Sequence, residues 1–398
     1  MSRTILCLTS YVKGQDFMRE CVESGTRTLL VTVEELRDAD WPRDVLDGVF
    51  LLPSLDTPGD VLNAISYLAR TERFGRIVAL DEFDMEIAAT VREHLRVPGL
   101  GVSATRAVRD KLTMRELAAA AGVPVPEFAG VFHHEDVRRF LEETAGPWVL
   151  KPRTQASAIG IRKLHRPDEV WPMLDELGDL QSHHLLERFV AGDVYHVDGI
   201  VDRGELVFAE AHRYARPPFD VMHAGGVFCS RTVPRNGEEE AGLRAATIAV
   251  LDAVGLDDGV FHAEFIRAAG TGEWYFLEVA ARVGGAHIAD MVHAATGVNL
   301  WREWAKLELA RAAGAPYRRP DPSSDHGGVL ISLARQEWPD TSAYDDPEVV
   351  WRLRMRHHAG LVVASPDADR VRELLDAYLR RFQHDFFASM PAPDRPTN

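Results

Sequence analysis

The sequence predicts an α/β protein in which an N-terminal Rossmann-like domain, built on a parallel sheet, precedes a region of antiparallel hairpins and helices. Three observations carry this. Apolar strand-like runs alternate with helix-periodic stretches through the first hundred residues. Two antiparallel hairpins are legible between residues 194 and 285. The chain of 398 residues is too long for one core, and roughly 150 residues per domain gives two or three domains.

The elements follow in order. "TILCLTS" (4–10) is a short apolar strand, and a helix-like stretch follows near 15–24. "TLLVTV" (28–33), "GVFLLP" (48–53) and "RIVALD" (76–81) are strands, while "GDVLNAISYLARTE" (59–72) has helical periodicity. Strands separated by helices imply a parallel sheet with crossovers. No G-x-G-x-x-G follows the first strand, so a dinucleotide site is unsupported. In "RDKLTMRELAAAAGVPVPEF" (109–128), Asp110 is placed to cap a helix ending at Gly122, before Pro124 and Pro126. "WVLKP" (148–152) is a strand ending on a lysine, and "HHLLERFVAG" (183–192) is another. "VYHVDGIVDRGELVFAEAHRY" (194–214) is a hairpin turned at Arg203–Gly204. "EEEAGLRAATIAVLDAVGL" (238–256) is helical, and 259–285 forms the second hairpin. "AHIADMVHAATG" (286–297) reads as a helix, "GLVVAS" (360–365) as a strand and "ADRVRELLDAYLRRFQ" (368–383) as a helix. The tail "MPAPDRPTN" is expected to be disordered.

Composition narrows the function. Hydrophobic content of 46% and charged content of 27% are those of a globular protein. A net charge of −16 argues against a general nucleic-acid binder, which needs a basic face. Cys7, Cys21 and Cys229 are odd in number and lack disulfide or zinc spacing, which points to a reducing, cytoplasmic setting. The apolar N-terminal patch is too short for a signal peptide, and no run approaches a membrane span. No H-E-x-x-H, G-x-S-x-G or Walker loop is present. The pairs His133–His134, His183–His184 and His357–His358 lack metal spacing and read as solvated.

The second hairpin holds the first chemical signal. In "YFLEVAARVGG" (275–285), Glu278, Ala280 and Arg282 share one side of a strand. With the loop set at Ala269–Glu273, Ala268 faces Trp274 and Glu264 lies opposite Glu278. Facing carboxylates have Cβ atoms roughly 4.5–5.5 Å apart and repel, so they ask for a cation. Two hard oxygen ligands suit Mg²⁺. Two solvated surface glutamates are the alternative, and the pair alone leaves both open.

Other residues point the same way. Lys151 ends a strand and precedes "RTQASAIGI" (153–161), whose small residues expose backbone N–H groups to a phosphate. A surface lysine before a turn is the alternative. Lys111 opens a helix, where the macrodipole disfavours a cation, which mildly favours a functional reason; an ordinary exposed lysine near a helix start is the alternative. Arg282, past the carboxylate pair, suits a developing oxyanion or a transferring phosphoryl group. Gly284 and Gly285 precede a helix whose free N–H groups attract a carboxylate, and with His287 they are read as the acid-substrate end. A helix-surface histidine is the plainer reading of His287. The segment 209–233 offers Arg213 and His223 as pocket residues, or is simply a structured loop.

"HAEF…FLEVAAR" resembles the magnesium hairpin of the ATP-grasp enzymes, and the order of the other segments agrees over residues 1–310 and weakly to 385. The family usually has Asn where this chain has Ala280. The carboxylate–amine ligase type, similar to bacterial L-amino-acid ligases that make dipeptides, likewise reads Glu-x-Ala-Ala-Arg. The resemblance implies an ATP-grasp fold whose two lobes clasp the nucleotide. It places Lys111 and Lys151 on the phosphates and makes 153–161, with Ser157 among its small residues, a flap. It puts Glu187, Arg188, Phe189 and Val190 at the adenine, with the Arg188 carbonyl accepting, the Val190 N–H donating and Glu187 at the amino group. Asp193 takes the ribose, Glu264 and Glu278 take Mg²⁺ (or Mn²⁺), and Arg282 is catalytic.

The implied domains are 1–105, Rossmann-like; 106–308, ATP-grasp, with a central lobe at about 125–190; and 309–398, a C-terminal α+β region completing the grasp. The implied function is an ATP-dependent carboxylate–amine ligase acting through an acyl phosphate. A biotin-carboxylase-like carboxylation and a non-catalytic ATP or ADP sensor are the alternatives. The partners expected are small-molecule acid and amine substrates, with no nucleic acid and no membrane, and homodimer formation is left open.

Overall fold

The computed structural model describes residues 4–156 and 158–388, apart from the side chains of residues 222–224; the tail expected to be disordered lies outside these. The chain opens with β1 (Thr4–Leu8), α1 (Gln15–Glu23), β2 (Thr28–Val33), β3 (Gly48–Leu52), α2 (Pro58–Leu68), β4 (Phe74–Ala79) and α3 (Met85–Leu95). The four strands form a parallel sheet in the order β3-β2-β1-β4. β1 and β2 are buried at every position, which is why they read as unbroken apolar runs. The order reverses between β1 and β4, so a crevice opens beyond their carboxyl ends, where residues 9–14 meet 80–84.

After α4 (Val102–Ala107) comes α5 (Lys111–Ala120), capped as expected: the Asp110 carboxylate accepts from the Leu112 N–H at 3.0 Å. Next follow β5 (Phe128–Gly130), α6 (His134–Glu143), β6 (Trp148–Pro152), β7 (Arg162–Leu164), α7 (Val170–Leu177) and β8 (His184–Arg188). Their strands form an antiparallel sheet, β5-β8-β6-β7, with its own small core that includes Phe140, Leu150, Leu174 and Leu186.

The remaining elements are β9 (Gly192–Asp202), β10 (Glu205–Tyr214), α8 (Pro218–Ala224), β11 (Phe228–Thr232), α9 (Glu238–Val254), β12 (Asp258–Ala268), β13 (Trp274–Ala280), α10 (Ile288–Thr296), α11 (Leu300–Ala313), β14 (His326–Leu333), β15 (Val349–Arg352), β16 (His358–Ser365) and α12 (Ala368–Asp385). One antiparallel sheet takes all their strands in the order β13-β12-β9-β10-β11-β14-β16-β15. The β9–β10 turn falls at Arg203 (φ 54°) and Gly204 (φ 78°), the left-handed pair a two-residue hairpin requires. α11 packs against α1, with Trp304 edge-on to Phe17 at 5.3 Å and Arg302 bonded to Glu20 at 2.9 Å, and so ties the first domain to the large sheet. No described helix is long and apolar enough to cross a membrane, and the three cysteines are buried and unpaired.

Glu264 and Glu278 pair, but by a different register from the simple count. Arg267, not Ala268, faces Trp274, and a bulge with Leu277 as the extra residue restores the match. The bulge lies beside the two carboxylates and aims them.

Candidate active site

A cleft separates the small sheet from the large one. Lys111, Lys151 and the segment Glu187–Val190 line one side, and Val194, Glu264 and Glu278 the other. The sequence-predicted cation and anion residues therefore converge.

Glu264 is fixed by its neighbours. Tyr214 Oη–H donates to its Oε1 at 2.8 Å, and His262 Nε2 stands 3.4 Å from the same oxygen. Burial pushes this carboxyl up, but His262 and Tyr214 outweigh it and hold it below its ordinary range. Glu278 is paired instead with Lys111, Nζ to Oε2 at 2.7 Å. The same ammonium donates to the Gln155 carbonyl at 2.6 Å, so the lysine at the helix start joins α5, the 153–161 loop and the hairpin.

Lys151 Nζ lies 2.6 Å from Glu187 Oε2, and Arg115, fully buried, stands 2.6 Å from Oε1. Burial lowers Lys151 to about 8, against the pull of Glu187. Burial pushes Glu187 up, but Arg115 and Lys151 outweigh it and hold it low. Phe189 carries the Lys163 ammonium 3.4 Å above its ring centroid, and its N–H donates to the Pro147 carbonyl at 2.8 Å. The Arg188 side chain turns away to Glu127.

Several expected residues lie elsewhere. Asp193 and Arg213 point to the opposite face of the large sheet, where they pair at 2.7 Å. Strand alternation is the reason: in β9 it is Val194, not Asp193, that turns to the cleft. Residues 209–233 do reach the cleft, through Pro217, Pro218, Phe219 and Asp220. The His223 side chain and Ser157 lie outside the described residues.

Arg282 does not share the strand face of Glu278, because β13 stops at Ala280. Its guanidinium donates from Nε to Glu82 Oε1 at 3.2 Å, in the crevice beyond β4, while Arg109 Nη1 donates to Oε2 at 3.0 Å. Burial pushes Glu82 up, but Arg282 and Arg109 outweigh it and bring it down to about 2. Beside it, the Ser10 N–H donates to Asp84 at 2.7 Å and Lys13 pairs with Asp81.

Gly284 is packed rather than open: a Cβ there would lie 2.4 Å from Asp198 Oδ1 and 3.2 Å from His262 Nδ1. α10 starts only at Ile288, after Ala286 (φ 49°) and His287 (φ 58°) in the left-handed region. His287 Nδ1–H donates to Asp290 at 2.8 Å and its ring lies 4.6 Å from Trp351. Gly284, Gly285 and His287 do not line the cleft.

Sequence reasoning missed Glu82 with Arg109, Arg115 behind Glu187, and a buried group of His196, Asp198 and His262. The last was within reach. Alternation in "YHVD" puts His196 and Asp198 on one face, and pairing of β9 with β12 sets them beside His262 and Glu264.

Residues 144–290 match the ATP-grasp domain family. The whole chain has the ATP-grasp fold. It is similar to the crystal structure of the L-amino acid ligase from Bacillus licheniformis, with a TM-score of 0.74 at 16% identity over 97% of this chain and 99% of that one. It is also similar to N5-carboxyaminoimidazole ribonucleotide synthetase from Thermus thermophilus, with a TM-score of 0.72 at 17% identity, covering 97% of this chain and 99% of that one. Among curated proteins, it is 24% identical over 244 residues to the L-arginine-specific L-amino acid ligase of Bacillus subtilis, spanning 60% of this chain and 58% of that one. It is 32% identical over 105 residues to the D-alanine–D-alanine ligase of Neisseria gonorrhoeae, spanning 26% of this chain and 34% of that one. The matched regions thus span less than two thirds of either curated relative.

Proposed function

We propose that the protein is an ATP-dependent carboxylate–amine ligase that joins amino acids or related small acids to an amine through an acyl phosphate, releasing ADP and phosphate. The observation that carries this is the pair of opposed carboxylates, Glu264 and Glu278, facing Lys151 and Lys111 across one cleft. The printed names of both curated relatives, which are ligases of amino acids, support the same reading.

The donor set fits a hard divalent cation. Glu264 and Glu278 offer two carboxylates, and Glu264 Oε1 is taken by Tyr214, which leaves Oε2 as the oxygen with no partner among the described residues. Mg²⁺ held there would neutralise phosphate charge. Ala280, where the family has Asn, contributes no ligand. Lys151 and Lys111 hold the phosphates by charge, and the backbone of Arg188 and Val190 holds the adenine.

Phosphoryl transfer asks the protein for positioning and charge more than for a nucleophile. The acid substrate's oxygen forms a bond to the γ-phosphorus as the β,γ-bridging P–O bond breaks. The amine then forms the C–N bond as the acyl C–O bond breaks, phosphate leaves, and the amine proton is released. Arg282 offers charge where the oxyanion develops. The acid and amine are read into the crevice beyond β1 and β4, against Glu82 and Arg282.

The test is ADP release across an array of amino-acid pairs, with mass spectrometry of the products. Release with a condensed product supports the ligase. Tight ATP binding with no release for any pair would instead make the protein a sensor.

A further inference from the structure

We propose that Asp198 and His262 are positioning residues for Glu264: a buried carboxylate–imidazole relay that sets the hairpin carboxylate and abuts the loop carrying Arg282. The inference rests on reading Glu264 as a metal ligand.

Asp198 is fully buried, and among the described residues no lysine or arginine reaches it. Its partners are imidazoles. His262 Nδ1–H donates to Oδ1 at 2.9 Å, His196 Nδ1–H donates to Oδ2 at 2.6 Å, and His212 Nδ1 stands 3.6 Å from Oδ2. Burying a carboxylate is costly, and apolar side chains would fill the same strand positions without that cost. The arrangement gains an orientation instead. With Nδ1 committed to Asp198, His262 must turn Nε2 toward Glu264 Oε1. The His196 ring lies 4.5 Å from Tyr214, whose hydroxyl donates to that same oxygen. Asp198 thus stands behind both groups that reach Glu264, a second layer of the kind that orients metal-binding side chains. It also touches the far side of the site: Gly284, two residues past Arg282, leaves no room for a Cβ against Asp198 Oδ1.

The test uses the full chain with ADP and counts free Mn²⁺ by paramagnetic resonance. Asp198→Asn and His262→Gln are expected to weaken Mn²⁺ binding about 10–100-fold and to raise the half-saturating Mg²⁺ for ADP formation by a similar factor. Adenosine affinity should stay unchanged, which a general structural lesion would not allow. Tyr214→Phe keeps the volume and removes one donor, and it is expected to cost roughly tenfold by the same readout. If Asp198→Asn does not fold, the other two variants decide. Native Mn²⁺ affinity in all folded variants, alongside its loss in Glu264→Gln, overturns the relay. Native affinity in Glu264→Gln as well overturns the metal reading beneath it. The ligand atoms of His196, Asp198 and His262 lie within 4.8 Å of one another, so elemental analysis is the last arm. One firmly bound zinc, lost on Asp198→Asn, would make these residues ligands and end the positioning role.

Discussion

The Lys111 ammonium stands 2.7 Å from Glu278 Oε2, so a side-chain cation holds one of two opposed carboxylates. The same nitrogen contacts the Gln155 carbonyl in the 153–161 loop. Lys111→Met removes a charge that a bound phosphate would share. It is expected to weaken ADP binding about tenfold, the size of a charge-assisted hydrogen bond. Calorimetric titration with ADP measures this, and an unchanged affinity takes Lys111 out of the phosphate site.

Glu264→Gln and Glu278→Gln should each nearly abolish ADP formation while leaving the fold intact. The amide keeps the shape and loses the charge that opposes a divalent cation. Each variant's turnover is compared at increasing Mg²⁺, with thermal unfolding as the control. Near-normal turnover at ordinary Mg²⁺ in either variant removes the hairpin from the site.

Glu82 gives the chain a pH-dependent element of stability. Burial pushes its carboxyl up, but Arg282 and Arg109 outweigh this and bring it from 4.5 down to about 2. A lowered carboxylate pKa stabilises fully above pH 4.5, and that contribution is lost as pH falls through 2. The shift corresponds to about 3 kcal/mol at neutral pH. Glu82→Gln, which leaves two buried guanidiniums without their counter-charge, should cost about that much at pH 7 and progressively less toward pH ~2.5. Urea unfolding of both proteins across that range is the check. A gap that does not narrow with acid sinks the assignment.

Strands buried on both faces, β1 and β2, were legible because their apolar runs are uninterrupted. The Arg203–Gly204 turn was legible because its chemistry is local. The site was legible only where local order decides it. Glu264 and Glu278 sit close to a short loop, so their pairing could be counted even though the bulge at Leu277 could not. Glu82 meets Arg282 across 200 residues, and no period announces such a contact. Asp193 and Arg213 show the opposite failure. Family position chose Asp193 for the ribose, whereas alternation along β9 turns Val194 to the cleft.

If Lys151 holds phosphate as proposed, Lys151→Ala should weaken ATP binding much more than adenosine binding. It also leaves Glu187 facing only Arg115, so a smaller general loss is expected through the Glu187–Val190 segment. Parallel titrations with ATP and adenosine separate the two effects. Equal weakening of both ligands would mean that Lys151 acts by supporting Glu187.

Arg282→Lys addresses the chemical step. The guanidinium uses Nε and Nη2 on Glu82 Oε1 and Nη1 on the Val283 carbonyl, so its plane is fixed before substrate arrives. A lysine keeps one charge but cannot reproduce that fork. If the charge matters only while the phosphoryl group is transferred or the oxyanion develops, misplacing it lowers the rate and leaves ground-state binding alone. The expected result is a kcat reduced roughly 10²–10³-fold, the usual cost of one oxyanion donor, with the ATP KM changed by no more than about threefold. Hydroxylamine added with the true acid should trap the acyl phosphate as a hydroxamate in the native protein, and at a correspondingly reduced rate in the variant. Because Glu82 loses part of its pairing, thermal unfolding accompanies the kinetics, and the rate is read at a temperature where both proteins are folded. A variant that keeps its saturated rate and mainly loses ATP affinity would show that Arg282 binds phosphate in the ground state, and the catalytic role would pass to another cation of the crevice, with Arg109 the first to test.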